Sequence, residues 1–500
     1  MDFIKSIYNA IENNKTVTVL GENQDYSFNQ ILKKIYQLNT LLSTSTEEVP
    51  NRILVLTQNS LDWVISDFYC LFKGITEVSI PLSFSVEQTQ SLLEGIDLVL
   101  VDKAGDERLK EWLEQGLKFD DSTKKVKLVN HLQLNLLEET PFELNVNKGP
   151  IKIIHTSGST GNPKGVMISN EGLSNLIFNL NNRLPESINE RYLSIVPLSL
   201  LIEQVALYLT ILRGGEIVLP GNVFELLGEG TVQASQFLDV IKLVQPTSMA
   251  IPPSIAKSMY DFSERVKDKS QVLSLLFGKD ESPFFTCGGA PVSSDILLEL
   301  NRIGITIYEG YGLSENASVV SINVPSANKI GTVGKPLDHV QVKLAEDGEL
   351  LVKSSSMFLG YSNNQDSTSC EFTQDGWLKT GDFATIDHEG YITILGRKKN
   401  IIINSHGRNI APEWLENQYK NLVEIEDIVV FNNEAEFLEV LITRNENHSE
   451  EACIKAIKSF QIFINSYGEI GRFHFMKRSE KSFYYTVSGK PNRTKISTNF

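Results

Sequence analysis

Residues 153–165 read Ile153-Ile154-His155-Thr156-Ser157-Gly158-Ser159-Thr160-Gly161-Asn162-Pro163-Lys164-Gly165. The first residues are typical of a buried β-strand, and the strand runs into a loop of hydroxyls and glycines that ends in a lysine. Glycines let successive backbone N–H groups turn toward one anion, hydroxyls add donors, and the Lys164 ammonium adds a point charge. This combination predicts a phosphate-binding loop.

The spacing excludes two better-known loops. A P-loop counted from Gly158 would need a glycine where Pro163 stands. A nucleophile elbow centred on Ser159 would need a glycine where Ser157 stands. The competing interpretation, a flexible Ser/Gly connection, leaves the preceding strand and the closing Pro-Lys-Gly unexplained.

Around this loop, strand-like and helix-like stretches alternate. Strands are predicted at residues 52–56, 77–81 and 98–102, and helices at residues 60–74, capped by Asn59 or Ser60 and ended by Gly74, and at residues 86–93. Such alternation implies right-handed crossovers and a parallel sheet covered by helices. A second α/β run begins at Ile151 and extends to about Asn323.

The pattern changes after this second run. Short strands at residues 340–344 and 349–353 predict a small antiparallel barrel or sheet, and about a hundred residues beyond Gly396 are enough for a separate domain. We therefore predict an α/β protein with a large N-terminal domain, residues 1–396, and a small mobile α+β C-terminal domain, residues 397–500. The large domain is expected to contain two α/β (βαβ) subdomains and a small β-barrel.

The composition limits the classes of protein. The chain has 500 residues, of which 41% are apolar and 22% charged, so disordered and fibrous classes are excluded. The formal net charge is −16. Because so acidic a chain repels phosphate backbones, we expect no nucleic-acid binding, and a small anionic ligand must be held by a few locally placed cations.

The cysteines and the apolar segments bear on location. The four cysteines are far apart and show no CxxC spacing, which favours reduced thiols over disulfides or a zinc site. The first five residues include an acid and no long apolar run, so we expect no secretory signal. The most apolar window, residues 193–212, is interrupted by Pro197, Glu203 and Gln204, so we expect no transmembrane segment. These features predict a cytoplasmic protein.

Five further motifs follow the loop along the chain. They are Thr286-Cys287-Gly288-Gly289-Ala290-Pro291, Tyr308-Glu309-Gly310-Tyr311-Gly312-Leu313-Ser314-Glu315, Thr380-Gly381-Asp382, Gly396-Arg397-Lys398-Lys399 and Thr486-Val487-Ser488-Gly489-Lys490. Each alone is weak evidence, but in this order they resemble the motifs of the adenylate-forming superfamily. That superfamily contains acyl-CoA synthetases, peptide-synthetase adenylation domains and firefly luciferase. The resemblance extends from about Arg52 to the end of the chain.

The resemblance implies a two-step reaction on a carboxylic acid. The carboxylate attacks the α-phosphate of ATP, pyrophosphate leaves, and the acyl-adenylate gives its acyl group to the thiol of CoA or of a carrier-protein phosphopantetheine. Because two anions must meet, the site needs preplaced positive charge and in-line positioning. The expected ligands are therefore a small carboxylic acid, ATP, Mg²⁺ and a thiol acceptor.

The resemblance also implies a nucleotide site. The residues expected around the β- and γ-phosphates are Thr156, Ser157, Gly158, Ser159, Thr160, Gly161 and Lys164. Those expected on the adenine side are Gly289, Ala290, Pro291, Glu309, Gly310, Tyr311 and Gly312. Asp382 would accept both ribose hydroxyls, because a carboxylate has two acceptor oxygens, and Arg397 would reach the ribose or a phosphate.

Four residues are expected to act on the reacting groups, namely Lys164, Ser314, Glu315 and Lys490. Ser314 would offer its hydroxyl to the α-phosphate, where the superfamily more often has threonine. Glu315 would bind Mg²⁺, a hard cation that takes oxygen ligands. Lys490 would neutralise charge between the carboxylate and the α-phosphate, although Tyr484 stands where the superfamily often has proline.

The same resemblance implies that the C-terminal domain moves. Lys164 and Lys490 lie in different predicted domains, so the site is complete only when the small domain closes. Lys399 matches the hinge between the domains. In the second step the loop that contains Gly407 would replace Lys490 and line the thiol tunnel.

The acid itself is predicted only by class. By resemblance, Leu200, Leu201, Gly288 and Gly312 line the acyl pocket, although Leu200 stands where acyl-CoA synthetases often have histidine or an aromatic residue. Residues 197–212 contain no aspartate to pair with an amino-acid ammonium. This favours a fatty or aryl acid. The alternatives are a stand-alone domain that activates an amino acid for a peptidyl carrier protein, and a non-catalytic nucleotide-binding protein.

Overall fold

A computed structural model of the chain describes residues 3–11, 16–22, 24–44, 48–120, 123–156, 163–221, 234–362, 365–403, 409–420, 422–432, 437–462, 469–485 and 491–500. In chain order, the strands β1–β25 of these residues are Thr16–Val19, Asp25–Ser27, Arg52–Leu56, Thr76–Ser79, Leu98–Val101, Lys124–Leu128, Pro150–Thr156, Lys164–Ser169, Arg191–Leu193, Glu216–Leu219, Ser248–Ile251, Phe284–Cys287, Ile307–Leu313, Ser318–Ile322, Lys335–Pro336, Val340–Leu344, Glu349–Ser354, Gly360–Tyr361, Leu378–Ile386, Ile392–Arg397, Ile402–Ile403, Asn409–Ile410, Ile425–Phe431, Leu438–Arg444 and Ile470–Phe475.

The helices α1–α17 of the same residues are Phe3–Ile11, Phe28–Ser43, Leu61–Lys73, Val86–Gln90, Lys103–Glu114, His131–Leu134, Asn170–Arg183, Leu201–Leu212, Gln236–Val244, Pro253–Arg265, Val272–Phe277, Ser294–Arg302, Gln365–Cys370, Pro412–Tyr419, Glu450–Gln461, Lys481–Tyr484 and Arg493–Asn499. Short 3₁₀ helices are Lys269–Gln271, Ser314–Asn316, Lys398–Asn400 and Arg478–Glu480. None of the helices in the described ranges is both long and apolar enough to cross a bilayer.

Two large mixed sheets form most of the molecule. One has seven strands in the order β18-β8-β7-β4-β3-β5-β6, and the other has nine in the order β15-β14-β13-β12-β11-β9-β10-β1-β2. The central strands of both sheets are parallel, while β8 and β18 in the first sheet and β2, β14 and β15 in the second pair antiparallel. Helices connect the parallel strands, as expected for crossover connections.

The two sheets share one apolar core. Alternate residues of β3 (Ile53, Val55) and of β10 (Ile217, Leu219) belong to the same buried cluster. The opposite face of β3 packs into a second cluster, and residues of β9 and the opposite face of β10 pack into a third. Because side chains alternate along a strand, this division places helices and apolar residues on both faces of each sheet.

Local signals in the sequence explain where single elements begin and end. The Ser60 side chain accepts a hydrogen bond from the backbone N–H of Trp63, which caps α3. Gly74 ends α3 with a φ of 67°, a left-handed conformation that favours glycine. A Cβ at Gly74 would also lie 2.8 Å from the backbone oxygen of Asn145. The predicted strand at residues 52–56 coincides with β3.

The later part of the chain forms smaller sheets. The strands β16, β17, β19 and β20 make a four-stranded antiparallel sheet in that order, which stands where the small β-barrel was predicted. After it come the two-stranded sheet β21-β22 and the three-stranded sheet β23-β24-β25. The predicted α/β fold class is therefore confirmed, and the structure contains several parallel and mixed sheets.

Candidate functional site

The predicted phosphate loop lies between two strands of one hairpin. β7 and β8 pair antiparallel, and Thr156 at the end of β7 is the register partner of Lys164 at the start of β8. Ser157, Gly158, Ser159, Thr160 and Gly161 lie outside the described residues. A Cβ at Gly165 would come within 2.3 Å of the Ser362 hydroxyl oxygen, so a larger residue beside Lys164 would require the Ser362 side chain to move.

Lys164 begins β8, and its side chain is about one third exposed. Its Nζ is 3.0 Å from Oε1 of Glu371 and 4.3 Å from the ring centroid of Tyr361. This ammonium can exchange the carboxylate for another anion, because the side chains of Lys164 and Glu371 are both about one third exposed.

The Ser314–Glu315 segment follows β13 as a 3₁₀ helix. The hydroxyl of Tyr361 donates a hydrogen bond to Oε1 of Glu315 over 2.8 Å. Behind the helix, Ala317 and Ser318 have φ values of 51° and 112°, conformations that cost free energy in non-glycine residues. The buried side chain of Asn316 holds this turn by donating to the backbone oxygen of Val319 over 3.1 Å.

Tyr311, Asp382 and Arg397 form a cluster at the other end of this segment. The Tyr311 hydroxyl donates to Oδ2 of Asp382 over 2.6 Å, and Nε of Arg397 lies 2.9 Å from Oδ1. Asp382 is 4% exposed, and it pairs with Arg397 across β19 and β20. Burial, and then the charge of Asp382, raise the pKa of the Tyr311 phenol well above its usual value. Oδ2 of the Asp382 carboxylate therefore already accepts a hydrogen bond, and Oδ1 lies in an ion pair with Arg397.

Glycines bring three strand ends of the adenine side close together. Gly288 follows β12, and a Cβ there would lie 3.2 Å from the backbone oxygen of Gly310 on β13. A Cβ at Gly312 would lie 1.9 Å from the backbone oxygen of Ser318. Gly289, at a φ of 81°, begins the exposed turn with Ala290 and Pro291.

Glu309 lies beneath this turn, where it accepts a hydrogen bond from the backbone N–H of Val292 over 3.1 Å. Burial raises the pKa of the Glu309 carboxyl to about 7. The residue is therefore positioned behind the turn and holds its shape, while the exposed backbone of the turn remains available to a ligand.

The predicted acyl-pocket residues stand at the start of α8. Leu200 precedes the helix and is 37% exposed, whereas Leu201 is buried. The neighbouring Glu203 is fully buried and accepts a hydrogen bond from the Tyr192 hydroxyl over 2.9 Å. Burial raises the pKa of the Glu203 carboxyl to about 8. Glu203 is consequently protonated at neutral pH and supplies no counter-charge for a substrate ammonium.

The predicted hinge and C-terminal residues are only partly described. Lys399 is exposed in the 3₁₀ helix after β20, beside Lys398, whose Nζ is 2.6 Å from Asp347. Gly407 and Lys490 lie outside the described residues. Tyr485 and Pro491 are the described residues on either side of Lys490, and they form an antiparallel bridge.

Sequence reasoning did not name Tyr361 or Glu371. A tyrosine in a two-residue strand and a glutamate after a short helix belong to none of the quoted motifs. Only the pairing of β18 with β8 brings Tyr361 to both Lys164 and Glu315. Among the described residues, no three His, Cys, Asp or Glu side chains form a group that could hold a metal ion.

The comparisons with known proteins agree with this geometry. A family model described as AMP-binding enzyme matches residues 8–362. A long-chain-fatty-acid–CoA ligase, FadD15 of Mycobacterium bovis, is 28% identical over 440 residues, which are 79% of this chain and 73% of the relative. The 2-succinylbenzoate–CoA ligase of Bacillus subtilis is 24% identical over 416 residues, which are 80% of this chain and 78% of the relative.

Solved structures share the fold over almost the whole chain. The o-succinylbenzoate CoA synthetase of Bacillus subtilis, solved in complex with the acyl-adenylate intermediate OSB-AMP, has a TM-score of 0.80 at 20% identity and covers 99% of this chain and 97% of that chain. The same enzyme solved with ATP and a magnesium ion has a TM-score of 0.77 at 20% identity, covering 99% of this chain and 98% of that chain.

Proposed function

The chain belongs to the AMP-binding enzyme family, and from this premise we propose that it is an ATP-dependent, AMP-forming acid–thiol ligase. In the first step a carboxylate oxygen bonds to the α-phosphorus of ATP, and the bond to the bridging oxygen of pyrophosphate breaks. Pyrophosphate leaves with that electron pair. In the second step a thiolate bonds to the acyl carbon, and AMP leaves with the electron pair of the acyl–oxygen bond.

One observation carries this proposal. The candidate phosphate, metal and ribose residues meet through direct contacts around β13, where Tyr361 contacts both Lys164 and Glu315. A few residues before Glu315, Tyr311 contacts Asp382, which in turn contacts Arg397. The candidate phosphate and metal residues therefore adjoin the candidate ribose residues through the segment from Tyr311 to Glu315.

Each side chain has a proposed part in the first step. Lys164 and residues 156–161 hold the β- and γ-phosphates, and Ser314 donates its hydroxyl to the α-phosphate. Tyr311 offers a flat face to adenine, while Asp382 and Arg397 hold the ribose. Lys490 neutralises the charge that builds between the acid and the α-phosphate.

Mg²⁺ fits the residues that the structure describes. Mg²⁺ usually binds one or two carboxylates together with substrate phosphates instead of a cage of protein ligands. Glu315 provides one carboxylate that Tyr361 already orients. When bound, the ion would neutralise phosphate charge and make pyrophosphate a better leaving group.

The proposed acid is fatty or aryl. Leu200 and Leu201 give the start of α8 an apolar character, and the buried Glu203 carboxyl is protonated at neutral pH. An amino-acid ammonium would therefore find no ionised partner in Glu203. Gly288 and Gly312 complete the proposed pocket, because both positions keep strand ends free of side chains.

We propose CoA as the thiol acceptor, because the two relatives described above are named as CoA ligases. A carrier-protein phosphopantetheine presents the same thiol and is the second arm of the test. The proposed domains are residues 1–396 and 397–500, with the hinge at Lys399 and the thiol tunnel lined by the loop that contains Gly407. After adenylation, rotation at the hinge would exchange Lys490 for this loop.

A cytoplasmic location is proposed from the cysteines. All four are free thiols, and Cys70, Cys287 and Cys453 are buried. Reduced thiols are the usual state in the cytosol. Fractionation of the native host, with the protein in the cytoplasmic fraction, is the expected result.

ATP–pyrophosphate exchange over a panel of fatty, aryl and amino acids tests the proposed function. We expect exchange with fatty or aryl acids and acyl transfer to CoA. Lys490→Ala should lose about 10²–10³ in exchange rate with an unchanged unfolding midpoint. Exchange with amino acids alone would favour a peptidyl-carrier-loading domain, and nucleotide binding without any exchange would show a non-catalytic protein.

A further inference from the structure

Tyr361 is fixed by the backbone on both sides. It pairs with Val166 across β18 and β8, and the neighbouring Ser362 N–H donates to the backbone oxygen of Gly165 over 2.8 Å. On the other side, the N–H of Phe358 donates to the backbone oxygen of Glu315 over 2.9 Å. Tyr361 therefore joins the strand that begins with Lys164 to the 3₁₀ helix that contains Glu315.

The side chain of Tyr361 contacts two groups of opposite charge. Its hydroxyl donates to Oε1 of Glu315 over 2.8 Å, and its ring lies 4.3 Å from Nζ of Lys164. Tyr361 is only 4% exposed. An ionised carboxylate only accepts hydrogen bonds, so the hydroxyl is the donor in this pair.

We propose that Tyr361 is a positioning residue that sets the metal-binding carboxylate of Glu315 and the phosphate-binding ammonium of Lys164 for one magnesium–triphosphate. The hydrogen bond fixes the orientation of the Glu315 carboxylate, and the ring face fixes the place of the ammonium. This inference rests on the proposed function, because that function assigns the metal and the phosphates to these two residues.

The two parts of the side chain act on different ligand groups. The hydroxyl reaches only the carboxylate, so its loss should affect the contribution of the metal. Of the two charged groups the ring contacts only the ammonium, and it also packs edge-on against Phe358. Its loss should affect phosphate binding whether or not metal is present. A tyrosine that served packing alone would affect both contributions equally.

The test measures binding, with no acid present. Calorimetry gives the affinity for ATP in EDTA and in excess Mg²⁺, and electron paramagnetic resonance follows Mn²⁺ binding to the ATP complex. For Tyr361→Phe we expect the ATP affinity in EDTA to stay within about twofold of wild type, because the ring is kept. The gain in affinity on adding Mg²⁺, and the Mn²⁺ affinity, should fall about tenfold, as for loss of a hydrogen bond to a charged group.

Tyr361→Leu removes both parts. We expect it to show the metal defect of Tyr361→Phe and, in addition, an ATP affinity in EDTA that is about two- to fivefold weaker. Tyr391→Phe is the matched control, since Lys335 lies 4.7 Å from the centroid of the Tyr391 ring. This control should bind ATP and Mn²⁺ like wild type. Thermal unfolding midpoints of all three variants report folding.

Two results would overturn the inference. One is a Tyr361→Phe protein whose ATP affinity rises on adding Mg²⁺ by as much as that of wild type. The other is a loss of ATP affinity that is equal with and without metal in both Tyr361 variants. That result would indicate a packing role. The proposed function fails separately, when wild-type protein binds magnesium–ATP but exchanges pyrophosphate with no acid.

Discussion

One hairpin carries two lysines in opposite environments. Lys152 on β7 is fully buried and forms ion pairs with Asp67 and Glu77, which are also fully buried. The Lys164 side chain on β8 is 35% exposed, and within the described ranges its carboxylate partner is Glu371. The same residue type, in neighbouring strands, is thus surrounded in one case and accessible in the other.

The difference shows how one hairpin, β7–β8, can contribute both to stability and to ligand binding. A buried lysine with two carboxylates cannot release them, because a lone buried charge is far costlier than the paired one. A partly exposed lysine with one carboxylate loses little when an anion replaces that partner. Lys152 therefore anchors the hairpin in the sheet, and Lys164 is free to bind a ligand at its tip.

Of the proposed substitutions, Lys152→Met should have the largest effect, and that effect is on the free energy of unfolding. It leaves Asp67 and Glu77 buried without their cation, and breaking such a buried group typically costs about 3–5 kcal/mol. We expect a strongly lowered midpoint of denaturant unfolding. Lys164→Met, measured alongside, should change the midpoint little. Equal stability of Lys152→Met and wild type would contradict the anchoring role.

His155, on the same strand as Lys152, should make the hairpin sensitive to acid. Burial lowers the pKa of the His155 imidazole from 6.5 to about 4, so the unfolded state takes up the proton first as the pH falls. The free energy of unfolding therefore falls as the pH decreases from 6.5 to about 4. The loss is up to ~3 kcal/mol, since one pKa unit corresponds to ~1.4 kcal/mol.

His155→Gln tests this, because glutamine can still donate to the backbone oxygen of Ser79, which His155 Nδ1 contacts at 2.9 Å. The variant should lose less stability than wild type between pH 6.5 and 4 in chemical unfolding. Parallel pH profiles of the two proteins would rule out a buried neutral imidazole.

Lys164→Met should act on ligand binding and spare the fold. Loss of a charge-assisted bond to phosphate typically costs about 1.5–3 kcal/mol, so the ATP affinity should fall about 10- to 100-fold. Lys343→Met is the matched control, since Lys343 also has one carboxylate at 3.0 Å and one aromatic ring at 4.4 Å. A similar loss in both variants would mean a general charge effect.

Glu371→Gln should have the smallest effect and the opposite sign. Removing the carboxylate frees the Lys164 ammonium, and a partly exposed ion pair is worth about 0–1 kcal/mol. The ATP affinity should therefore rise by up to about fivefold in calorimetry. Asp375→Asn, which removes the carboxylate partner of Lys343, should leave it unchanged. A weaker ATP affinity in Glu371→Gln would indicate that Glu371 helps to bind the nucleotide.

Much of the fold could be predicted because its signals are local. Ser60 and Gly74 identify both ends of α3, and the apolar run at residues 52–56 identifies β3. Sheet membership was not predicted in the same way. β1 pairs with β10, with Val17 opposite Ile217. A local sequence pattern cannot predict a contact between residues so distant in sequence.

In the candidate site, too, residues within local motifs could be predicted and residues defined by distant contacts could not. The sequence named Tyr311 and Asp382 from separate motifs, and the structure brings them into direct contact. Tyr361 and Glu371 could not be named, because their importance lies in what they contact and not in a motif. Lys490, Gly407 and residues 157–161 lie outside the described residues, so their roles stay predictions.

A crystal structure with ATP and Mg²⁺ tests the central claim most directly. We predict that the β- and γ-phosphates lie against Lys164 and residues 156–161, that Glu315 binds the metal ion, and that the ribose hydroxyls donate to Asp382. A nucleotide bound elsewhere, with the loop between β7 and β8 directed away from its phosphates, would contradict the account.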